Sequence, residues 1–277
     1  MAVTLEAVGK KLPVTTFEYT ERDVILYALG VGAGLNELQY VYEPGLKVIP
    51  TFGVVPAFPA LLGMGSVMQF NPVMVLHGEQ RVELRKPFPT KGKLTTSGTI
   101  KAIYDKGSGA LVSVEAETAD ENGDVVCVNT FGVFIRGEGG FGGERGPSGA
   151  RNVPPERPPD EVVEMETLPQ QALIYRLSGD RNPLHADPNV AKMAGYDRPI
   201  LHGLCTFGHA ARAIIQRCCG GDPDRLKGFE VRFSGVVFPG DKIITEMWRE
   251  SDTRVIVQTK TQRGDVVLSN AAATVAA

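Results

Sequence analysis

The segment Tyr175–Ala186, with the sequence YRLSGDRNPLHA, combines residue types that could exchange protons with a substrate. Asp180 and His185 are five positions apart, and Asn182 and Pro183 lie between them. Because a residue before proline avoids the α-helical conformation, we expect the pair to lie on a loop, where catalytic groups are common. One carboxylate and one imidazole suffice to hold a water molecule and to act as general acid and base. Asn182 could orient that water by hydrogen bonding.

The same residue types also have a structural interpretation. Short Asp, Asn and His clusters before a helix are often capping and turn residues. Asp187 and Pro188 match an N-cap and first-turn pair for a short helix, NVAKMAG. This cap gives Asp187 a structural role, but it gives none to Asp180 or His185. From the residues alone, the catalytic and capping interpretations both stay open.

A second group of candidate ligands is His202, Cys205 and His209, at helical positions i, i+3 and i+7. Such side chains could in principle bind zinc. However, seven residues of one helix span about 10 Å, which is too far for one tetrahedral ion. His202 should also precede the helix, so we predict no metal site.

The composition indicates a globular chain, with 43% hydrophobic and 22% charged residues. A net charge of −3 and the absence of a long Lys/Arg run argue against a nucleic-acid partner. Four cysteines without a CxxC motif indicate reduced thiols. The start of the sequence lacks a signal core, and the end, TVAA, is not an SKL-type signal. We therefore expect a cytoplasmic protein, with a peroxisomal location possible through another signal.

The elements that position these residues fall into two halves. Residues 137–160, GEGGFGGERGPSGARNVPPERPPD, are rich in Gly, Pro and charge and predict a linker between residues 1–136 and residues 161–277. Several motifs recur on both sides of it. The matched motifs are YALGVG from Tyr27 and YRLSGD from Tyr175, Leu76-His77-Gly78 and Leu201-His202-Gly203, and Phe88-Pro89 and Phe238-Pro239.

Each half ends in alternating apolar and polar runs, which predict antiparallel strands with one buried face. In the second half a largely apolar helix, Leu204–Cys218, precedes them and ends at Gly220-Gly221. We expect an α+β fold with two helix-and-sheet repeats. The apolar stretch Val54–Leu76 contains three prolines, so we predict a buried pocket wall and no membrane span.

The segment Gly179–His185, GDRNPLH, resembles the signature of the type 2 enoyl-CoA hydratases, part of the MaoC-like dehydratase group. Ala194–Arg212, AGYDRPILHGLCTFGHAAR, is also similar to that family. The resemblance implies a double hot-dog fold whose first half is degenerate and receives the acyl tail. It also implies a hydro-lyase that converts trans-2-enoyl-CoA into (3R)-3-hydroxyacyl-CoA. Asp180 and His185 would be its acid/base pair.

The resemblance assigns further roles and implies a homodimer that needs no cofactor. Asn182 would support the catalytic pair, and the backbone N–H of Gly203 would stabilise negative charge on the thioester oxygen. Four residues match ligand-contacting positions of the family: His77, Gly78, Lys106 and Phe233. Alternatively, Lys106 is an exposed turn residue and His77 is a satisfied buried histidine.

The first half lacks the catalytic pair, because its matching segment, Val31–Glu37, reads VGAGLNE. We therefore expect one active site per chain, acting on medium or long acyl chains in fatty-acid β-oxidation or related acyl-CoA metabolism. Three other functions stay open: a dehydratase on another thioester carrier, a thioesterase, and a non-catalytic acyl-CoA-binding protein.

Overall fold

The computed structural model describes residues 3–147 and 151–277, so the middle of the predicted linker and the first two residues lie outside the described residues. Within these ranges, the α-helices are α1 (Glu21–Gly30), α2 (Leu38–Val41), α3 (Val54–Leu62), α4 (Gln171–Tyr175), α5 (Pro188–Met193) and α6 (Gly203–Cys218). The strands are β1 (Thr15–Tyr19), β2 (Val75–Leu84), β3 (Gly92–Asp105), β4 (Gly109–Ala119), β5 (Val125–Arg136), β6 (Glu161–Glu166), β7 (Leu226–Phe233), β8 (Lys242–Ser251), β9 (Arg254–Thr261) and β10 (Val266–Val275).

The ten strands form one sheet in the order β1-β3-β4-β5-β2-β7-β10-β9-β8-β6. Neighbouring strands in it are antiparallel. The order is the same in both halves when read outwards from the centre, where β2 pairs with β7 over Glu79–Glu83 and Gly228–Arg232. The predicted α+β double hot-dog is therefore confirmed.

The helix α6 is the centre of the second half. It is buried nearly all round, since 13 of its 16 residues are buried, as expected for a helix wrapped by a sheet. Phe207 stacks on Phe229 of β7 with ring centroids 4.6 Å apart. Gly220 and Gly221 have positive φ angles directly after the helix, so the predicted stop signal is confirmed.

The first half has a shorter helix, α3, in the place of α6. Pro59 lies inside it and cannot donate a backbone hydrogen bond, and a 3-10 turn follows at Gly63–Ser66. Both Phe-Pro motifs precede equivalent strands, β3 and β8, as expected. The match between the two Leu-His-Gly motifs is wrong, however. The first lies at the start of β2 and the second at the start of α6, because three residues are too few to fix a register.

The loop Val31–Glu37 binds α6 instead of forming a second site. The guanidinium of Arg212 pairs with the Glu37 carboxylate and donates to the Val31 carbonyl oxygen at 2.8 Å. Gly32, with a φ of +83°, lies so close to the helix that a Cβ there would be 2.4 Å from Nε2 of His209. This loop has no Asp or His in the matching positions, in line with one site per chain.

The first part of the predicted linker folds back onto the β3–β4 hairpin. The Asp105 carboxylate accepts backbone N–H groups from Gly107, Gly140 and Gly142 at 2.8–2.9 Å. These bonds, led by the one from Gly140, lower the pKa of Asp105. The domain boundaries themselves stay a prediction. In the described part of the chain, none of the helices has the length and apolar character needed to cross a membrane.

Candidate active site

The loop between α4 and α5 holds the predicted acid/base residues through local hydrogen bonds. The backbone N–H of Asn182 donates to Oδ1 of Asp180 at 3.1 Å. Oδ1 of Asn182 accepts the N–H of Leu184 at 3.0 Å, at the start of the 3-10 turn Pro183–His185. The capping interpretation is therefore partly right, because both side chains organise turns. Asp180 still has its second carboxylate oxygen, and Asn182 its Nδ2 amide, for the adjoining cavity.

His185 is held in one tautomer. Its Nδ1 lies 2.9 Å from the carbonyl oxygen of Ile200, so Nδ1 carries the proton and donates it. In the neutral ring Nε2 is then an unprotonated base. Burial lowers the pKa of His185, although the bond to Ile200 and the charge of Asp180 oppose this effect. Near pH 7 the ring is therefore neutral, and its Nε2 can accept a proton.

His202 completes a cluster that the sequence did not reveal. It is the N-cap residue of α6, its ring stacks on that of His185 at 3.7 Å between centroids, and its Nε2 lies 3.1 Å from the Asp180 carbonyl oxygen. Burial, with a further contribution from His185, lowers the pKa of His202 to about 3. Its position directly before Gly203 was the signal that could have identified it.

Asp180, His185 and His202 each offer one ligand atom, and these atoms lie within 4.8 Å of one another. Two imidazoles and a carboxylate are also the donor set of some zinc enzymes. This combination differs from the one considered from the sequence, in which His202 was grouped with Cys205 and His209. The absence of a functional metal stays a prediction.

Gly203 is the first residue of α6, and its backbone faces the cavity. The first N–H groups of a helix have no acceptor within the helix, and they carry the positive end of its dipole. A Cβ at this position would lie 3.0 Å from the ring of Phe233, so a larger residue would fit only if that ring moved by a few tenths of an ångström. The site therefore offers an accessible N–H group close to Asp180 and His185.

These residues line a cavity of about 1040 Å³ between the two halves of the chain. The second half contributes the polar groups Asp180, Asn182 and His185, together with Gly203 and Phe233. The first half contributes an apolar wall that includes Phe58, Leu61, Leu62, Met64, Met68 and Phe70. The predicted pocket wall within Val54–Leu76 is thus confirmed.

His77 reaches this cavity because of a β-bulge at Gly78. In the β2–β5 pairing His77 lies opposite Val133 and Glu79 lies opposite Gly132. Gly78 is therefore an extra residue of β2 without a partner on β5. The bulge directs His77 inwards and Glu79 to the outer face. The His77 ring meets Phe233 edge-on at 4.9 Å, and burial lowers the pKa of His77 to about 4.

Two of the predicted ligand-contacting residues do not line the main cavity. Gly78 contributes the backbone of the bulge. Lys106 lies on the outer face of the sheet, where its Nζ donates to the Pro147 carbonyl oxygen at 3.0 Å beside a separate cavity of about 270 Å³. The structure therefore brings His77 and Phe233 to the same cavity as Asp180 and His185, but not Lys106.

Comparison with protein families matches both halves of the chain. Residues 17–137 match the MFE-2 hydratase 2 N-terminal domain, and residues 151–272 match the MaoC like domain. The chain belongs to the MaoC-like hydratase 2 family. A probable enoyl-CoA hydratase 2 from Dictyostelium discoideum is 40% identical, over 97% of this chain and 95% of that protein.

Other members of the family are longer. The peroxisomal multifunctional enzyme type 2 of Mus musculus is 45% identical over 96% of this chain, which spans only 37% of that protein. The chain likewise spans 30% of a peroxisomal hydratase-dehydrogenase-epimerase from Neurospora crassa, to which it is 46% identical. This hydratase 2 family member thus aligns with a segment of each multifunctional protein.

Solved structures agree with the family assignment. A MaoC-like dehydratase from Phytophthora capsici superposes with a TM-score of 0.91 at 36% identity, over 99% of this chain and 98% of that one. A Mycobacterium tuberculosis protein described as a double hot-dog fold superposes with a TM-score of 0.61 at 14% identity, over 96% of each chain. The second likeness concerns the fold alone.

Proposed function

We propose that this chain catalyses the reversible hydration of trans-2-enoyl-CoA to (3R)-3-hydroxyacyl-CoA, as a hydro-lyase without a cofactor. The observation that carries the proposal is the grouping of Asp180, the unprotonated Nε2 of His185 and the Gly203 N–H around one cavity. Relatives from Dictyostelium discoideum and Arabidopsis thaliana, 40% and 43% identical, are named as enoyl-CoA hydratase 2 proteins and support the same activity.

In this mechanism, Asp180 and His185 hold one water molecule by accepting its two hydrogens, and the Asn182 amide donates to its oxygen. Nε2 of His185 removes a proton as the water oxygen bonds to the β-carbon of the enoyl group. The electron pair of the double bond forms a new double bond between the α-carbon and the carbonyl carbon, and the carbonyl π pair moves onto the thioester oxygen, where the Gly203 N–H stabilises the charge. The imidazolium then returns the proton to the α-carbon, so the elements of one water are added.

The apolar wall from the first half favours medium or long acyl chains as substrates. Burying a methylene group contributes about 0.8 kcal/mol, so such a wall would favour chains that reach it. We place the reaction in fatty-acid β-oxidation or related acyl-CoA metabolism. The homodimer and the cytoplasmic location stay predictions, and peroxisomal names among the relatives keep that compartment open.

A second candidate is the reverse reaction on another thioester carrier. A 3-hydroxyacyl-thioester dehydratase Y from Mycobacterium tuberculosis is 41% identical, over 96% of this chain and 95% of that protein. Hydration and dehydration share one transition state, so the same residues would serve both directions. The carrier and the physiological direction are what separate the two candidates.

The test is to mix the purified protein with trans-2-decenoyl-CoA and to follow the absorbance of the enoyl thioester, while a thiol reagent measures free CoA. Loss of absorbance without CoA release, with (3R)-3-hydroxydecanoyl-CoA as the product, supports hydration. Stoichiometric CoA release would instead identify a thioesterase. Saturable binding without turnover would leave only acyl-CoA binding or a different carrier.

A further inference from the structure

We propose that His202 is a positioning residue that holds Asp180, His185 and Gly203 in their working arrangement. This inference rests on the proposed hydration reaction, in which those three groups act on water and on the thioester. His202 does not line the cavity, so it has no direct contact with substrate. Its role follows from one contact with each of the three groups.

The contact with Asp180 is a hydrogen bond to the main chain. Nε2 of His202 lies 3.1 Å from the Asp180 carbonyl oxygen, and because a carbonyl only accepts, Nε2 carries the proton. This bond ties the loop before Asn182 to the start of α6, 22 positions along the chain. Rotation of the Asp180 peptide, which would swing the carboxylate, breaks it.

The contact with His185 is a face-to-face stack, with ring centroids 3.7 Å apart and an angle of 26° between the planes. The stack covers one face of the His185 ring, and the Ile200 carbonyl oxygen already binds the Nδ1 edge of that ring. The ring of Tyr175 supports the other side of His202 at 4.9 Å. His185 therefore cannot tilt away from the cavity without displacing His202.

His202 also stays neutral while its neighbour takes a proton. The charged groups that act on the stacked pair are Asp180 and Arg176, and the ring of Tyr175 packs against His202. Burial holds the pKa of His202 at about 3, whereas its effect on His185 is opposed by Asp180. The proton from water goes to His185 because its free Nε2 borders the cavity, whereas His202 does not line it, and the neutral His202 ring can stabilise the imidazolium through its π-face.

The third contact is through the chain itself. The His202 carbonyl oxygen accepts the N–H groups of Cys205 and Thr206 at 3.1 and 3.2 Å, which starts α6 and orients the next N–H, that of Gly203. One residue therefore sets the acid/base pair and the oxyanion donor relative to each other. Misplacing reacting groups by about 1 Å can lower a rate about 100-fold.

A structural role alone explains His202 poorly. Its Nδ1 is buried and has no hydrogen-bond partner among the described residues, which costs free energy in the folded state. A phenyl ring would leave no nitrogen unpaired, but it would remove the donor to the Asp180 carbonyl. The unpaired nitrogen is a local cost that packing does not require, and residues retained for function often carry such a cost.

Two substitutions separate the contacts. His202→Phe keeps a flat ring but removes the donor to Asp180, whereas His202→Gln keeps a donor but removes the stack. We expect kcat with trans-2-decenoyl-CoA to fall about 10- to 100-fold in each, with KM changed by less than about three-fold. The Tm of His202→Phe should fall only slightly, because the lost bond to the Asp180 carbonyl is partly offset by removal of the unpaired Nδ1.

The pH profile gives a readout that a purely structural role would not move. In His202→Gln, water reaches His185 and relieves its desolvation, so the acid limb of kcat/KM should shift to higher pH. In His202→Phe that limb should stay in place. The matched control is His209→Gln, another buried histidine of α6 that faces Gly32, and it should keep kcat within about two-fold of wild type.

The proposal is overturned if folded His202→Phe and His202→Gln both keep kcat within about two-fold of wild type. It is also overturned if the loss of rate only tracks a loss of folded protein. Both outcomes require a wild-type enzyme that hydrates enoyl-CoA. Failure of the proposed function would be seen separately, as a wild-type protein without hydration.

Discussion

At the scale of single residues, the position of one proton on each imidazole decides what the site can do. The Ile200 carbonyl binds the Nδ1 proton of His185 and leaves Nε2 as a base beside Asp180. The Asp180 carbonyl binds the Nε2 proton of His202 instead, and the His202 ring does not line the cavity. In the proposed mechanism, two backbone oxygens thus make one histidine the base and the other its support.

The acid/base assignment predicts that Asp180→Asn and His185→Gln each lower kcat by about 10²- to 10⁴-fold. Because both residues act on one water, the double variant should lose little more than either single one. Both proteins should remain folded, since Asn and Gln preserve the size of the side chains. Steady-state rates with trans-2-decenoyl-CoA and circular dichroism give the measurement.

The control for these variants is Asp252→Asn, in the exposed turn between β8 and β9. It makes the same chemical change away from the cavity and should keep wild-type kinetics. Losses that multiply in the double variant would mean that Asp180 and His185 work on separate steps. Near wild-type rates for either single variant would remove that residue from the mechanism.

The environment of His185 also predicts the pH dependence. Protonation of Nε2 removes the base, so kcat/KM should fall as the pH falls through the pKa of His185. Since burial lowers that pKa, the midpoint of the acid limb should lie below the ordinary value of about 6.5. A midpoint above that value, measured over a pH range in which the protein stays folded, would contradict this assignment.

The three clustered donors make a prediction about metals. The mechanism needs no ion, so dialysis against EDTA should leave turnover unchanged. Added Zn²⁺ should inhibit, because it would bind Asp180 and the free Nε2 of His185, and substrate should protect. Loss of activity on chelation, with recovery on adding one metal, would instead indicate a metalloenzyme.

At the scale of elements, features within one short segment of the sequence could be predicted. Features that depend on which strand or loop lies opposite could not. The loop Gly179–His185 could be identified because seven consecutive residues carry it. The bulge at Gly78 and the stacking of His202 depend on which strand or loop lies opposite, and no short motif encodes that. The wrong match of the two Leu-His-Gly motifs has the same cause.

The shortened helix α3 predicts how the enzyme selects chain length. Leu61 lines the cavity at the end of α3, so Leu61→Trp should fill space that a long acyl tail needs. We expect kcat/KM for trans-2-decenoyl-CoA to fall about ten-fold or more, while crotonyl-CoA changes by less than about two-fold. Leu38→Trp, on the exposed side of α2, is the control. Equal losses for both substrates would place the tail elsewhere.

At the scale of the whole molecule, one chain contains every group of the proposed site. The sheet continues through β2 and β7, and the cavity takes its apolar wall from one half and its acid/base pair from the other. The recurring motifs and the strand patterns were sufficient to predict two repeats, because each repeat ends in a run of antiparallel strands that lies within one part of the sequence. How the halves join could not be predicted, since it depends on pairs far apart in the sequence.

Several ion pairs join the halves, and two of them should differ in strength. Arg212 and Glu37 keep only 7% and 22% of their side chains exposed, whereas Arg232 and Glu79 keep 45% and 42%. Glu37→Gln should lower the free energy of unfolding by about 2–3 kcal/mol, because it leaves the Arg212 charge buried and unpaired. Glu79→Gln should cost less than about 1 kcal/mol, since water screens that pair. Urea unfolding of both variants measures the difference, and equal costs would mean that α6 is held by packing alone.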